Sequence, residues 1–260
     1  MTRLPEQQTC RKTVFGTVLD ALTMSQVIER CVAAVAEHRR LTIGVVNAAK
    51  IVNMRGDAAL RQSVLDSDLV VADGQAVVWA ARMLGHRIPE RVAGIDLFTE
   101  LMAEGARRGH RAYFLGATEE VLAGVLAEVR RRYPGLAIAG SRDGYFPVED
   151  SAEVAAEIAA SGADLLFLGI TSPKKEIFIR EWGESTGACV VHGVGGSFDV
   201  LAGRTRRAPV RWQRLGLEWL YRMLQEPLRL GPRYVRTNGR FLLLVVREWA
   251  GVRRRIEETT

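Results

Sequence analysis

Short apolar runs that stop at a glycine or a polar residue recur along this chain: Leu41–Val46, Leu69–Ala72, Arg111–Leu115, Leu136–Ala139, Asp164–Ile170 and Ala188–His192. Runs of this length, closed by a loop former, read as buried strands. Segments with helical apolar spacing separate them: Thr23 to His38, Ala48 to Leu65, Gln75 to Leu84, Leu97 to Arg108, Thr118 to Arg132, Ser151 to Ala160, and from the TSPKKE loop to Trp182. Thr23 with Gln26 three residues on matches a capping box, and Val14–Leu19 predicts one further short strand. Strand and helix in alternation demand a mostly parallel sheet covered on both faces, so the expected fold is a Rossmann-like α/β body.

One run carries the sharpest chemistry. Leu69–Ala72 passes at once into Asp73 and Gly74, which puts a carboxylate just past the carboxyl end of a strand. Ligands of open α/β sheets bind at that edge, although an Asp capping the next helix would look the same. Asn47, the TSPKKE loop and Gly193-Val194-Gly195-Gly196 fall at the same edge by the same logic, and this coincidence favours a catalytic site. The glycine loop can bring backbone N–H groups close to a diphosphate. It is not a dinucleotide fingerprint, because Phe198 stands where the third glycine belongs. Asp199 adds a carboxylate for a base or ribose, or a helix cap.

Asp66-Ser67-Asp68 has the letters of a DxD metal motif, but it precedes its strand and so faces the opposite edge. The four histidines are scattered, and none pairs with Cys or another His at ligand spacing, so no metal centre is expected. His192, just before the glycine loop, reads as a packed neutral side chain.

Charge divides the chain near residue 203. Residues 204–260 hold 14 Arg, no Lys and 5 Glu, a balance of +9 within a total of +6, so residues 1–203 carry −3. The expected domains are an α/β body over 1–203 and an Arg/Trp-rich helical appendage over 204–260. In the appendage Trp212, Leu215, Trp219, Leu220 and Met223 share one helix face, and Arg211, Arg214, Glu218 and Arg222 the other. Pro227 and Pro232 should break the chain before a last helix ending near Arg255. Arginine beside interfacial tryptophan suits phosphate groups and an anionic membrane surface. No apolar run approaches the roughly 18 residues of a membrane span, and the N-terminus lacks a signal-peptide core. No DNA-binding motif is present, so nucleic acid is not an expected partner. Three cysteines without CxxC spacing suit a reducing compartment. An apolar face for tail docking leaves a homo-oligomer open.

Taken in order, a set of landmarks resembles the WecG/TagA/CpsF family of bacterial glycosyltransferases over nearly the whole chain, roughly Val14 to Phe241. They are Asn47-Ala48, Ala72-Asp73-Gly74, Arg91-Val92-Ala93-Gly94-Ile95-Asp96-Leu97, Phe114-Leu115-Gly116, Gly144-Tyr145-Phe146, Ser172-Pro173-Lys174-Lys175-Glu176, Gly193 through Asp199, Arg207-Ala208-Pro209, Leu217 through Arg222, and Glu226 through Arg229. The resemblance implies an inverting, metal-independent transferase without a cofactor. It would move a hexose or N-acetylhexosamine-type sugar from a UDP-sugar to an undecaprenyl-diphosphate-linked saccharide, peripherally at the cytoplasmic face of the membrane, in cell-surface or exopolysaccharide biosynthesis. The base would be Asp73 and the active-site arginine Arg91. Donor contacts are expected from Asn47, Gly74, Gly94, Asp96, Gly116, Lys174, Lys175, Glu176, Gly193, Gly195, Gly196 and Asp199. Arg207, Arg222 and Arg229 would meet phosphate or the lipid acceptor.

Two positions depart from the family pattern. Val45 stands where the family often has Thr, and Lys175 where it often has Gln, which leaves the donor sugar open. Two other readings stand beside this one: a non-catalytic UDP-sugar-binding module on the membrane, and a UDP-sugar epimerase.

Overall fold

The computed structural model describes residues 11–257; Cys10 and the side chain of Arg229 lie outside the described residues. A hairpin of β1 (Arg11–Val14) and β2 (Thr17–Asp20) comes first, then α1 (Met24–Ala36), β3 (Leu41–Val46), α2 (Ala48–Met54), α3 (Ala58–Leu65), β4 (Leu69–Ala72) and α4 (Gln75–Met83). There follow α5 (Gly94–Arg108), β5 (Arg111–Gly116), α6 (Glu119–Arg132), β6 (Ala137–Arg142), α7 (Ser151–Ser161), β7 (Leu165–Gly169), α8 (Lys174–Trp182), β8 (Val190–Gly193) and α9 (Ser197–Leu201). The tail forms α10 (Val210–Arg214), α11 (Glu218–Gln225) and α12 (Pro227–Glu257).

Six strands make one parallel sheet in the order β4-β3-β8-β7-β5-β6, the α/β architecture expected from the alternation. Strand periodicity explains its burial on both faces. Ala112 and Phe114 of β5 join Leu165 and Phe167 of β7 in one apolar cluster, while Tyr113, Leu115, Leu166 and Leu168 join another on the opposite face. A third cluster unites β4, α2 and α4 with the hairpin and with Phe241, Leu244 and Val245 of α12. The tail is thus built into the core through one seam of α12: Phe241 meets Phe15 edge to face at 5.2 Å.

Several local expectations change. Val14–Leu19 is not one strand. Phe15 and Gly16 both take positive φ (56° and 71°), the conformation of a tight hairpin turn. The helix expected over Ala48–Leu65 is two, because Gly56 ends the first and Asp57 caps the second by accepting from the Leu60 N–H at 2.9 Å. Gly94–Asp96 and Lys174–Glu176 are helical first turns rather than loop. Gly216, at φ 66°, splits the helix expected through Trp212–Met223. Pro227 and Pro232 do not break the last helix. Pro227 opens it, where no N–H is needed. Pro232 deprives only the Leu228 carbonyl, at a residue 94% exposed, where water can serve.

Candidate active site

The parallel register puts the ends of β3 and β4 side by side. Val46 pairs with Ala72, and the Asp73 N–H donates to the Val46 carbonyl at 2.9 Å, so Asn47 and Asp73 leave the sheet together. Asn47 caps α2 by accepting from the Lys50 N–H at 3.0 Å. Gly74, next to Asp73, caps α4, and a Cβ there would stand 3.4 Å from that of Asn47. The half-buried Asp73 accepts from the Gly94 N–H at 2.9 Å, in the first turn of α5. Three helix N-termini therefore converge on this corner of the rim, which makes it electrostatically complementary to anions.

His192 locks Gly94 from the other side. It is fully buried at the end of β8, with Nε2 3.0 Å from the Gly94 carbonyl oxygen. A carbonyl only accepts, so Nε2 carries the proton and the imidazole is neutral with Nδ1 as acceptor. Burial pushes its pKa down to about 4. Nδ1 is buried without a hydrogen-bond partner. The relay runs His192 to Gly94 carbonyl, then Gly94 N–H to Asp73.

A charged cluster completes the floor. Lys50 Nζ lies 2.9 Å from Glu176 Oε1 and Lys175 Nζ 3.4 Å from the same oxygen. The Lys175 stem lies across Gly193, where a Cβ would come 2.5 Å from Lys175 Cδ. Burial, seconded by the Lys50 charge, pushes the Lys175 ammonium down to about 8. Burial works to raise the Glu176 carboxyl, but the two ammonium groups outweigh it and hold it at about 2. Asp73 is close enough for its charge to be felt at both Lys175 and His192.

The other anticipated residues are placed as follows. Arg91 and Arg207 share two carboxylates: Arg91 reaches Glu218 at 3.2 Å and Asp96 at 3.7 Å, and Arg207 reaches Asp96 at 2.6 Å and Glu218 at 3.5 Å. Burial opposes the Arg207 charge, yet Asp96 and Glu218 prevail and raise its pKa. Asp96 is thus engaged by arginines. Lys174 is committed to the Gly144 and Phe146 carbonyls, at 3.2 and 2.6 Å, and lies over the Phe146 ring. Gly116, at φ 132°, lets β5 approach β7 so closely that a Cβ would stand 2.5 Å from the Gly169 carbonyl carbon. In the glycine loop the Val194 and Gly195 N–H groups both donate to the Leu168 carbonyl, which leaves the exposed Gly196 as the loop's open end, with Asp199 Oδ2 3.7 Å from where its Cβ would be. Arg222 is half-buried in α11. Asp68, of the DxD letters, accepts from the Thr42 N–H and hydroxyl at 2.7 and 2.8 Å, at the amino end of β3.

Lys50 and Glu218 were not anticipated. Lys50 sits one turn after Asn47, but its partner is 126 positions away. Glu218 lies on the helix face opposite the tryptophans, within the Leu217–Arg222 landmark, and only the folded tail brings it to Arg91. Among the described residues no cluster of three or more His, Cys, Asp or Glu could hold a metal, and no helix is long and apolar enough to cross a membrane.

A match to the model of the Glycosyl transferase WecG/TagA/CpsF family spans residues 12–255. A curated relative, the N-acetylglucosaminyldiphosphoundecaprenol N-acetyl-beta-D-mannosaminyltransferase of Bacillus spizizenii, is 41% identical over 169 residues, 65% of this chain and 65% of that protein's length. The chain whose sheet rim gathers Asn47, Asp73, Gly94 and the Lys50–Glu176 pair belongs to the WecG/TagA/CpsF family of glycosyl transferases.

Proposed function

We propose that this chain is an inverting transferase that moves a hexose or N-acetylhexosamine-type sugar from a UDP-sugar to an undecaprenyl-diphosphate-linked saccharide. The family and the relative's name support the reaction class and a lipid-linked acceptor. The observation that carries the proposal is Asp73, a carboxylate at the ligand-binding rim, oriented by the Gly94 N–H. Asp73 takes the proton of the acceptor hydroxyl as its oxygen bonds to the anomeric carbon. The bond from that carbon to the UDP oxygen breaks, and inversion follows from attack opposite the leaving group. Lys175 and the Gly196 end of the glycine loop support the departing diphosphate, with arginines of the tail closing the site. No metal is assigned, because Asp68 is committed at the other edge of the sheet. The donor stays open at the level of the sugar, since Val45 and Lys175 both border the rim.

The enzyme works peripherally at the cytoplasmic face. Exposed Leu242, Leu243, Val246 and Trp249 on the arginine-rich α12 supply an interfacial surface.

The test is a donor screen with a synthetic lipid-diphosphate saccharide, read by mass spectrometry. Asp73→Asn should keep the fold and UDP affinity and lower turnover by about 10² to 10⁴-fold, the contribution of a positioned base. Full activity in that variant refutes the assignment. Transfer should persist in excess chelator.

A further inference from the structure

The fold accounts unequally for the five tryptophans of this chain. Trp212 meets the Tyr221 ring and Trp219 the Tyr234 ring, each at 5.7 Å, and Trp182 lies against the apolar cluster of β7 and α7. Trp79 has no such partner. It stands on α4, 51% exposed. Among the described residues its indole N–H makes no hydrogen bond, and neither does the side-chain amide of Gln75, one turn before it. A large amphipathic ring is thus held half open, with its polar edge unused.

Its place ties it to the reaction. α4 opens directly after Asp73-Gly74, with Gly74 as its N-cap, so Gln75 and Trp79 share one face of the helix that starts at the proposed base. Trp79 stands five residues past Gly74, about 7.5 Å along the helix axis. Long helical side chains lean toward the N-terminus, which here is the rim. From the other side the tail comes down on the same pair. A Cβ on Gly216 would stand 2.9 Å from Gln75 Cβ and 3.2 Å from Trp79 Cη2, so the turn between α10 and α11 touches the far edge of the indole. Two residues later Glu218 joins Arg91 at the rim. The indole therefore lies between Asp73 and the tail.

Resting on the transferase reading above, we propose that Trp79 is the platform on which the acceptor sugar stacks, with the Gln75 amide bonding a hydroxyl at the edge of that sugar. A pyranose offers a face of C–H groups and a rim of hydroxyls, and an indole beside an amide meets both. Exposed Met83, one turn further along α4, and Leu215, next to Gly216, continue the apolar lip. The broad Leu242–Trp249 surface of α12 has the extent a bilayer needs; a single indole with an amide at the mouth of the site has the extent of a sugar ring. Trp79 takes no part in the proton transfer. It fixes the ring whose hydroxyl Asp73 must reach, which is an orientation effect.

Calorimetric titration of the full chain tests this with methyl diphosphate and with methyl diphosphates carrying glucose or N-acetylglucosamine. In wild type one of the two sugars should tighten binding about tenfold, the scale of a well-formed aromatic contact. Trp79→Ala should lose that gain, with affinity for methyl diphosphate, affinity for UDP and flotation on phosphatidylglycerol vesicles all unchanged. Trp79→Phe should keep most of the gain, and Gln75→Ala should lose part of it; circular dichroism checks the fold of each variant. In turnover Trp79→Ala should raise KM for the lipid-linked acceptor and leave KM for the UDP-sugar as it was. A sugar gain that survives Trp79→Ala, or that is absent from wild type, overturns the platform. So does a fall in UDP affinity, which would give the indole to the nucleotide, or in flotation, which would give it to the bilayer. These titrations need no sugar transfer: a wild type that gains from the sugar but transfers none keeps the platform and refutes the transferase.

Discussion

His192 holds no proton on Nδ1, yet it governs where Asp73 points. Because burial depresses its pKa from 6.5 to about 4, the unfolded chain takes up a proton in that interval that the folded chain refuses. Stability therefore falls as pH drops from 6.5 toward 4, by on the order of 3 kcal/mol. Denaturant melts of His192→Gln should lose that slope, and the variant's transfer should fall as Gly94 loses its anchor. Lys175 titrates in the opposite range. As pH rises through about 8 its ammonium is discharged beside the rim, so UDP affinity should decline above pH 8 in wild type and stay level in Lys175→Gln. Binding isotherms at pH 7 and pH 9 decide this. Asp73 and Asn47 were readable in the sequence because each directly follows an apolar run, and strand ends are local facts. Lys50 was not, since nothing near it names Glu176, 126 positions on, as its partner.

At the level of elements, the parallel sheet followed from the alternation alone, while the helix ends did not. Gly56 and Asp57 spell a stop and a cap, but the apolar spacing of Ile51, Val52, Leu60 and Val64 runs through them and hid the break. Asp57→Ala should cost about 1 kcal/mol through loss of the cap, read as a lower denaturant midpoint with an unchanged slope. Gly216 shows the same limit in the tail: its left-handed φ and its approach to Gln75 and Trp79 come from docking on α4, which no local pattern announces. Pro232 erred the other way, as its cost is confined to one exposed carbonyl.

For the molecule as a whole, the charge asymmetry sets the tail apart in composition. It could not reveal that α12 fills the core. Removing everything after Gly203 would strip Phe241, Leu244 and Val245 from their cluster, so neutralising exposed arginines is the cleaner probe of membrane binding. Flotation on anionic vesicles should weaken steeply with added salt. The Arg91–Asp96–Arg207–Glu218 ring ties tail to rim, and Glu218→Gln should speed tryptic cleavage between α9 and α11 while lowering transfer. The hairpin has a consequence for how the chain is made. Phe15 donates its N–H to Glu248, 233 positions later, and packs on Phe241. A nascent chain emerging from the ribosome therefore carries a greasy, unfinished groove around Phe15 and Ile51 for nearly the whole of its synthesis. Chaperones that shield newborn polypeptides have their natural foothold there until the final helix arrives.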